Sequence, residues 1–437
     1  MSELDFARAQ MGLSLAFHIV FAAVGVALPA LMVIAEWRGR RTGDAVYLEL
    51  ARRWSKGTAI LFAVGAVSGT VLSFELGLLW PHFMAFAGAI IGLPFSLEGF
   101  AFFTEAIFLG IYLYGWDRTS PRLHLWSGII VAISGAASAL FVVLANAWMN
   151  TPVGFMLANG IAQQVDPIAA MRSPAALHEV LHALIASYQS TAFALSGVHA
   201  ALLLREPTSL FHQRALAIGL SVGAVMAVLQ PISGDVSARA VARLEPIKLA
   251  AMEGQFHTER GAPLRIGGLP DITTETTPFA IQVPNGLSLI AFHDPHAEVR
   301  GLDAFAKRDW PPVRATHLSF QTMVGCGMAM LAIALWAALL RWRRRPWPRA
   351  FLLATAICGP LGFVALEAGW LVTEEGRQPW IIAGVMRTFD AVTPFPALAI
   401  PFWIFTTVYL FLAAAVAYLL WHQILKTDVA RDDHAGA

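Results

Sequence analysis

The sequence predicts an all-α membrane protein of about nine transmembrane helices, with the N-terminus outside and the C-terminus cytoplasmic. Three observations carry this. Of 437 residues, 57% are hydrophobic and only 14% are charged, whereas a soluble domain is about a quarter charged. The mean hydropathy is +0.61. Predominantly apolar runs of about 20 residues, the length that crosses a bilayer, recur along the whole chain.

Taken in order, the first run is 12–35, which carries His18, and the second is 57–79. The third, 91–114, carries Glu98 and Glu105; the fourth is 126–148. The fifth, 177–204, carries His178 and His182, and the sixth is 213–232. After the long polar stretch 234–316 come 317–340 with Met323, 350–372 leading to Glu374 and Glu375, and 398–421. Gly and Pro inside these runs are compatible with spanning helices. The expected organisation is therefore helices 1–6 over 1–233, an extracytoplasmic loop over 234–316, and helices 7–9 with a cytoplasmic tail over 317–437. A connection as long as 234–316 is usually functional.

Orientation follows from the short loops, because cytoplasmic loops are rich in Lys and Arg. Basic residues follow every odd-numbered run: Arg38, Arg40, Arg41, Arg52, Arg53 and Lys56; Arg118 and Arg122; Arg205 and Arg214; Arg341, Arg343, Arg344, Arg345 and Arg349; Lys426 and Arg431. The N-terminus and the long loop then face the opposite side. Met1–Gln10 has no basic start and no small-residue cleavage site, so no cleaved signal peptide is expected. Cys326 and Cys358 both lie in apolar runs and read as packing residues.

His18, Glu98, Glu105, His178 and His182 sit inside the apolar runs. An ionisable group in hydrocarbon costs several kcal/mol unless it is paired, so such residues mark function. With the orientation above, His18, Glu98, His178, His182, Met323, Glu374 and Glu375 all fall in the outer part of their helices, at about 1.5 Å rise per residue. One cluster is expected there. Imidazole and thioether are axial ligands of low-spin haem iron, and a lone His or carboxylate can hold a haem with an open face. No C-x-x-C-H stretch provides covalent attachment, and no glycine fingerprint for a nucleotide precedes a helix. His178 and His182 lie one turn apart and share a helix face, so either could be the ligand. Glu98 and Glu105 lie two turns apart on another face, an arrangement that suits a proton path.

Several motifs occur together and in one order: LEGFAFFTEAIFLGIYLYGWDR from Leu97 to Arg118, ANAWMNTPVGF from Ala145 to Phe155, QPISGD from Gln230 to Asp235, KLAAMEG from Lys248 to Gly254, and GRQPW from Gly376 to Trp380. With them the chain resembles, over almost its full length, subunit I of the cytochrome bd-type quinol oxidases, including the cyanide-insensitive branch. The resemblance implies an electrogenic quinol:dioxygen oxidoreductase in the bacterial inner membrane. It implies two haems b and one haem d, the latter replaced by a haem b in some relatives. His182 and Met323 resemble the ligands of the low-spin haem. His18 and Glu374 resemble those of the two high-spin haems, without showing which holds haem d. Glu98 resembles the carboxylate beside the oxygen-reducing haem, and Glu105 a proton-delivery group. Lys248 and Glu253 resemble the quinol-binding pair, Trp370 an aromatic between haems, and Arg8 and Arg377 partners of haem propionates. Gln321 departs from the pattern, since some relatives have Arg there. The implied partners are a second membrane subunit, in some relatives a small accessory peptide, ubiquinol or menaquinol, and dioxygen; no nucleic acid is expected. Two rivals are weighed against this. A proton-coupled transporter predicts inverted repeats and a mid-membrane site; the chain shows no repeat. A haem b carrier without oxygen reduction would not need His18 and Glu374 as further ligands.

Overall fold

The computed structural model describes residues 2–422. Lys426 and Arg431, used above for orientation, lie outside the described residues. The helices in chain order are α1 (Glu3–Thr42), α2 (Ala45–Leu79), α3 (Pro81–Tyr114), α4 (Pro121–Asn150), α5 (Pro167–Met171), α6 (Ala176–Leu203), α7 (Leu210–Leu244) and α8 (Pro246–Glu253). They continue as α9 (Gly286–Phe292), α10 (Val313–Trp342), α11 (Arg349–Cys358), α12 (Leu361–Glu375), α13 (Thr388–Ala391) and α14 (Ala399–Leu420). The remaining regular structure is short antiparallel strand pairs in the connections.

All nine predicted apolar runs are helical, and among the described residues eight helical segments are long and apolar enough to cross a membrane. The 28-residue α6 is not among the eight. It carries His178, Glu179, His182 and His199 together with Gln189 and several serines, which dilute its apolar content. The eighth run is two helices, α11 and α12, separated at Gly359 and Pro360. Proline cannot continue the hydrogen-bond ladder. The break also lies where helices meet closely: a Cβ on Gly197 of α6 would come 2.7 Å from the Gly359 Cα, so glycine is required there.

The helices outrun the predicted bilayer segments. α1 continues through Thr42, so Arg38, Arg40 and Arg41 are helical rather than loop residues. It starts with a capping box: Ser2 Oγ accepts from the Asp5 N–H (3.2 Å) and the Asp5 carboxylate accepts from the Ser2 N–H (2.8 Å). α7 continues through Leu244, past the predicted loop boundary at Gly234. The long connection is not structureless. It holds α8, α9 and two strand pairs around a small core of Leu249, Met252, Leu287 and Val299.

Two compact units make up the chain. The first comprises Met1–Leu79, Phe103–Gly135 and Thr393–Ala437. Its α1 packs along α2 and α14 around Leu28, Leu31, Met32, Leu50 and Trp54. A buried polar knot ties α1 to α3 and α4. Glu36 accepts from Arg40 Nε (2.7 Å) and lies 2.8 Å from His124 Nδ1, while His124 Nε2 meets the Tyr112 carbonyl at 2.9 Å. The second unit comprises Trp80–Phe102 and Ala136–Val392. Its core packs α6, α7, α10 and α11 around Phe193, Leu216, Met330 and Phe351, with Trp347 stacked on Phe351 at 5.0 Å. Both thiols, Cys326 and Cys358, are free.

Candidate functional site

In the first unit, His18 projects from α1 toward Ser68 of α2, with Nδ1 3.0 Å from Ser68 Oγ. A Cβ on Gly69 would lie 2.9 Å from the His18 Cε1, so the ring rests against bare α2 backbone. Glu105 of α3 is 4% exposed. Its carboxylate lies against two glycines: a Cβ on Gly135 would come 3.3 Å from both oxygens, and one on Gly25 3.9 Å from Oε1. α1 and α4 therefore approach this carboxylate closely because they carry no side chain at those points. Arg8 lies half-buried near the start of α1.

In the second unit, Glu98 of α3 accepts a hydrogen bond from Ser138 Oγ of α4 at 3.1 Å. No cation pairs with Glu98 among the described residues. His182 of α6 is held by α7: Nδ1 lies 2.9 Å from Ser233 Oγ, and Gln230 Nε2 lies 3.0 Å from Nε2 and 3.4 Å from Nδ1. His178, one turn earlier, is 7% exposed, and neither ring nitrogen has a hydrogen-bond partner among the described residues. The two histidines that the sequence left interchangeable thus differ. Only His182 has its ring orientation set by a neighbouring helix. Met323 of α10 faces α12, where a Cβ on Gly369 would lie 3.1 Å from Sδ.

Glu374, at the end of α12, has both oxygens engaged. Asn146 Nδ2 donates to Oε1 and Arg377 Nη2 to Oε2, each at 2.6 Å. Trp370 lies partly buried one turn before it. Arg377 also donates through Nη1 to Asn150 Oδ1 (3.0 Å), and Lys248 Nζ donates to the same oxygen (3.1 Å). Lys248 is ion-paired with Glu245 as well. Asn150 Nδ2 in turn donates to Glu179 (2.8 Å). The result is a buried hydrogen-bonded chain from α8 through α4 to Glu374. Asn146, Asn150, Glu179 and Glu245 are its members that sequence reasoning missed. The ANAWMN motif held two of them, with no signal that Asn146 turns toward Glu374 and Asn150 toward Lys248 and Arg377.

Glu253 does not share the partners of Lys248. Glu253, at the end of α8, is 4% exposed, and its Oε2 has no hydrogen-bond partner among the described residues. Burial pushes its carboxyl up to about 8, against the opposing pull of the Arg265 guanidinium. Arg265 belongs to a strand clamped onto α10 by Gln321. Gln321 Oε1 accepts from the Gly267 N–H (2.9 Å), and Nε2 donates to the Arg265 carbonyl (3.0 Å). His317 reaches two loop carbonyls, Met252 at 2.8 Å and Gly267 at 3.0 Å. The residue that departs from the family pattern is therefore an anchor of the loop, two positions before Met323.

This is a multi-pass helical membrane protein that carries histidine, methionine and carboxylate side chains within its apolar helices. The chain matches the cytochrome bd terminal oxidase subunit I family over residues 6–428 and belongs to that family. It is 31% identical over 453 residues to the cytochrome bd ubiquinol oxidase subunit 1 of Bacillus subtilis (strain 168), covering 99% of this chain and 96% of that one. It is 36% identical over 440 residues, covering 99% of both chains, to a protein of the same organism provisionally named cytochrome bd menaquinol oxidase subunit I. Its fold matches the solved bd oxidase from Geobacillus thermodenitrificans with a TM-score of 0.93 at 38% identity, over 98% of this chain and 99% of that one.

The family implies haem cofactors. The residues present fit them. Gly69 and Gly369 leave bare backbone beside His18 and Met323, where a side chain would crowd a ligand. The buried Arg377 Nε and both nitrogens of His178 are polar atoms with no partner among the described residues, as expected of groups that meet a bound molecule carrying carboxylates.

Proposed function

We propose that this chain is the haem-bearing subunit of a terminal oxidase that oxidises quinol at the extracytoplasmic face and reduces dioxygen to water with cytoplasmic protons. The observation that carries this reading is the buried chain Lys248–Asn150–Arg377–Glu374, which ties the head of the long connection to a candidate iron ligand. His182 and Met323 would hold the low-spin haem b. His18 and Glu374 would hold the two high-spin haems, one of them haem d or its b-type replacement. Arg377 and Arg8 would neutralise propionates, and Trp370 would lie between haems. Haem supplies one-electron transfer and, where a coordination position is open, the binding of dioxygen.

The chain's own residues supply protons and positions. Glu253, buried beside the loop, accepts a quinol proton, and Lys248 polarises the quinol oxygen. Glu105 and then Glu98 hold protons on their way to the oxygen-reducing site; they are joined by two turns of α3. Release of quinol protons on one side and uptake from the other charges the membrane without a pump. The working enzyme includes a second membrane subunit, joined in some relatives by a small accessory peptide, and takes ubiquinol or menaquinol in the bacterial inner membrane.

The test is oxygen consumption by the purified oxidase driven by a soluble quinol. Uptake coupled to quinol oxidation supports the proposal, and quinol oxidation without uptake contradicts it. The pH profile tests the role of Glu253. A carboxyl that titrates near 8 exposes its base form in about a tenth of molecules at pH 7, so turnover limited by quinol oxidation should rise with pH up to about 8. Glu253→Gln should remove that rising limb. The same shift acts on stability in the opposite sense. The folded carboxyl binds its proton more tightly than the unfolded one, so this contribution is complete below about 4.5 and is lost as the pH rises through about 8.

A further inference from the structure

We infer that Ser68 and Ser233 are positioning residues that set the imidazole tautomer of His18 and His182, holding the proton on Nδ1 and turning the Nε2 lone pair toward iron. This rests on reading the two histidines as ligands.

The geometry is the same at two places that share no residue. Ser68 Oγ donates to the carbonyls of its own helix, Val64 at 2.9 Å and Gly65 at 3.1 Å. A hydroxyl has one hydrogen and two lone pairs. With that hydrogen committed to the backbone, the oxygen 3.0 Å from His18 Nδ1 accepts, and Nδ1 is the donor. In the second unit, Ser233 Oγ donates to the Gln230 carbonyl at 2.9 Å and lies 2.9 Å from His182 Nδ1. Gln230 Nε2, 3.0 Å from Nε2 and 3.4 Å from Nδ1 of the same ring, lies over the ring face and leaves the in-plane lone pair of Nε2 free.

A neutral imidazole has one N–H, and a histidine that binds metal through one nitrogen presents the other as a donor. Outer partners that accept this hydrogen fix the ring and raise its basicity. Here each serine comes from the helix adjacent to the histidine's own, α2 for α1 and α7 for α6. The serines therefore also set the angle at which each ring leaves its helix. Because the hydroxyl is itself polarised by a helix carbonyl, it accepts without needing water. An accepting partner pushes electron density onto the imidazole and favours the ferric state. Its removal should raise the reduction potential of the iron at that histidine and of no other.

The experiment is a spectroelectrochemical titration of the purified two-subunit oxidase with haem content measured alongside. Ser233→Ala should keep its haem and shift the low-spin haem potential upward, leaving the high-spin potentials in place. Ser68→Ala should shift a high-spin potential and leave the low-spin one. Ser→Thr at either position should return the potential toward that of the parent. Unchanged potentials in both alanine variants at full haem content would overturn the inference. If an alanine variant loses haem, the threonine variant decides: recovery of haem supports the hydroxyl as the positioning group, and no recovery contradicts it. Should His182→Ala leave every absorption band intact, the ligand reading itself fails, which is a result distinct from failure at the serines.

Discussion

Glu105→Gln is expected to assemble with normal haem content and to lower oxygen turnover by about 10²-fold or more, the range attributed to a positioned proton-transfer group. The substitution keeps the shape of the side chain. That matters because the carboxylate is enclosed by Gly25 and Gly135 and is only 4% exposed, so a larger or shorter replacement would test packing as well as chemistry. Glutamine fits the same space and accepts or donates hydrogen bonds but cannot carry a proton across. Stopped-flow reaction of the reduced oxidase with dioxygen is the direct measurement. A slowed proton-coupled phase with unaltered spectra is the expected result, and unchanged turnover would remove Glu105 from the path.

The second large effect is at the low-spin site. His182→Ala and Met323→Leu should each abolish the six-coordinate spectrum of one haem while leaving the high-spin bands. Met323→Leu is the milder change in volume, so it isolates the loss of the sulfur. Quinol oxidation should fall with it, since electrons would lose their entry point, while the reduced high-spin sites should still react with dioxygen. Coincident loss of every band would instead mean that the substitutions unfold α6 or α10, and the Gly369 contact of Met323 makes α12 the place to look for it.

Much of this architecture is legible in the sequence because hydrocarbon imposes so few solutions. Every backbone polar group must be satisfied within the segment, and the nine apolar runs are accordingly helical, the eighth as two helices broken at Gly359 and Pro360. Their ends are less legible. Arg38, Arg40 and Arg41 look like a loop, yet α1 runs through them, because Glu36 pairs with Arg40 and meets His124 in a buried knot that composition does not reveal. α7 outruns its apolar run in the same way and carries Ser233 to His182.

Among the candidate residues, His18 and His182 stand out as titratable groups in apolar runs, whereas Met323 and Glu374 are singled out by the family resemblance, since a methionine in an apolar helix reads as packing and a glutamate at a helix end as solvated. Their supporting partners do not stand out. Asn146, Asn150, Ser68 and Ser233 are ordinary residues for a tightly packed helix, and only the pairing of neighbouring helices shows that they reach Glu374, Lys248, His18 and His182. Lys248 and Glu253 illustrate the converse. Proximity in sequence suggests a pair, but Lys248 is committed to Glu245 and Asn150 while Glu253 is buried near Arg265.

The most direct test of the central claim, that these side chains bind haem irons of two kinds, is the optical spectrum of the purified oxidase, reduced and then exposed to carbon monoxide. One set of haem bands should remain unmoved, as expected of the haem that His182 and Met323 would together hold, and another should shift, as expected of a haem that His18 or Glu374 alone would hold. Colourless protein, or bands that carbon monoxide leaves entirely unchanged, would contradict it.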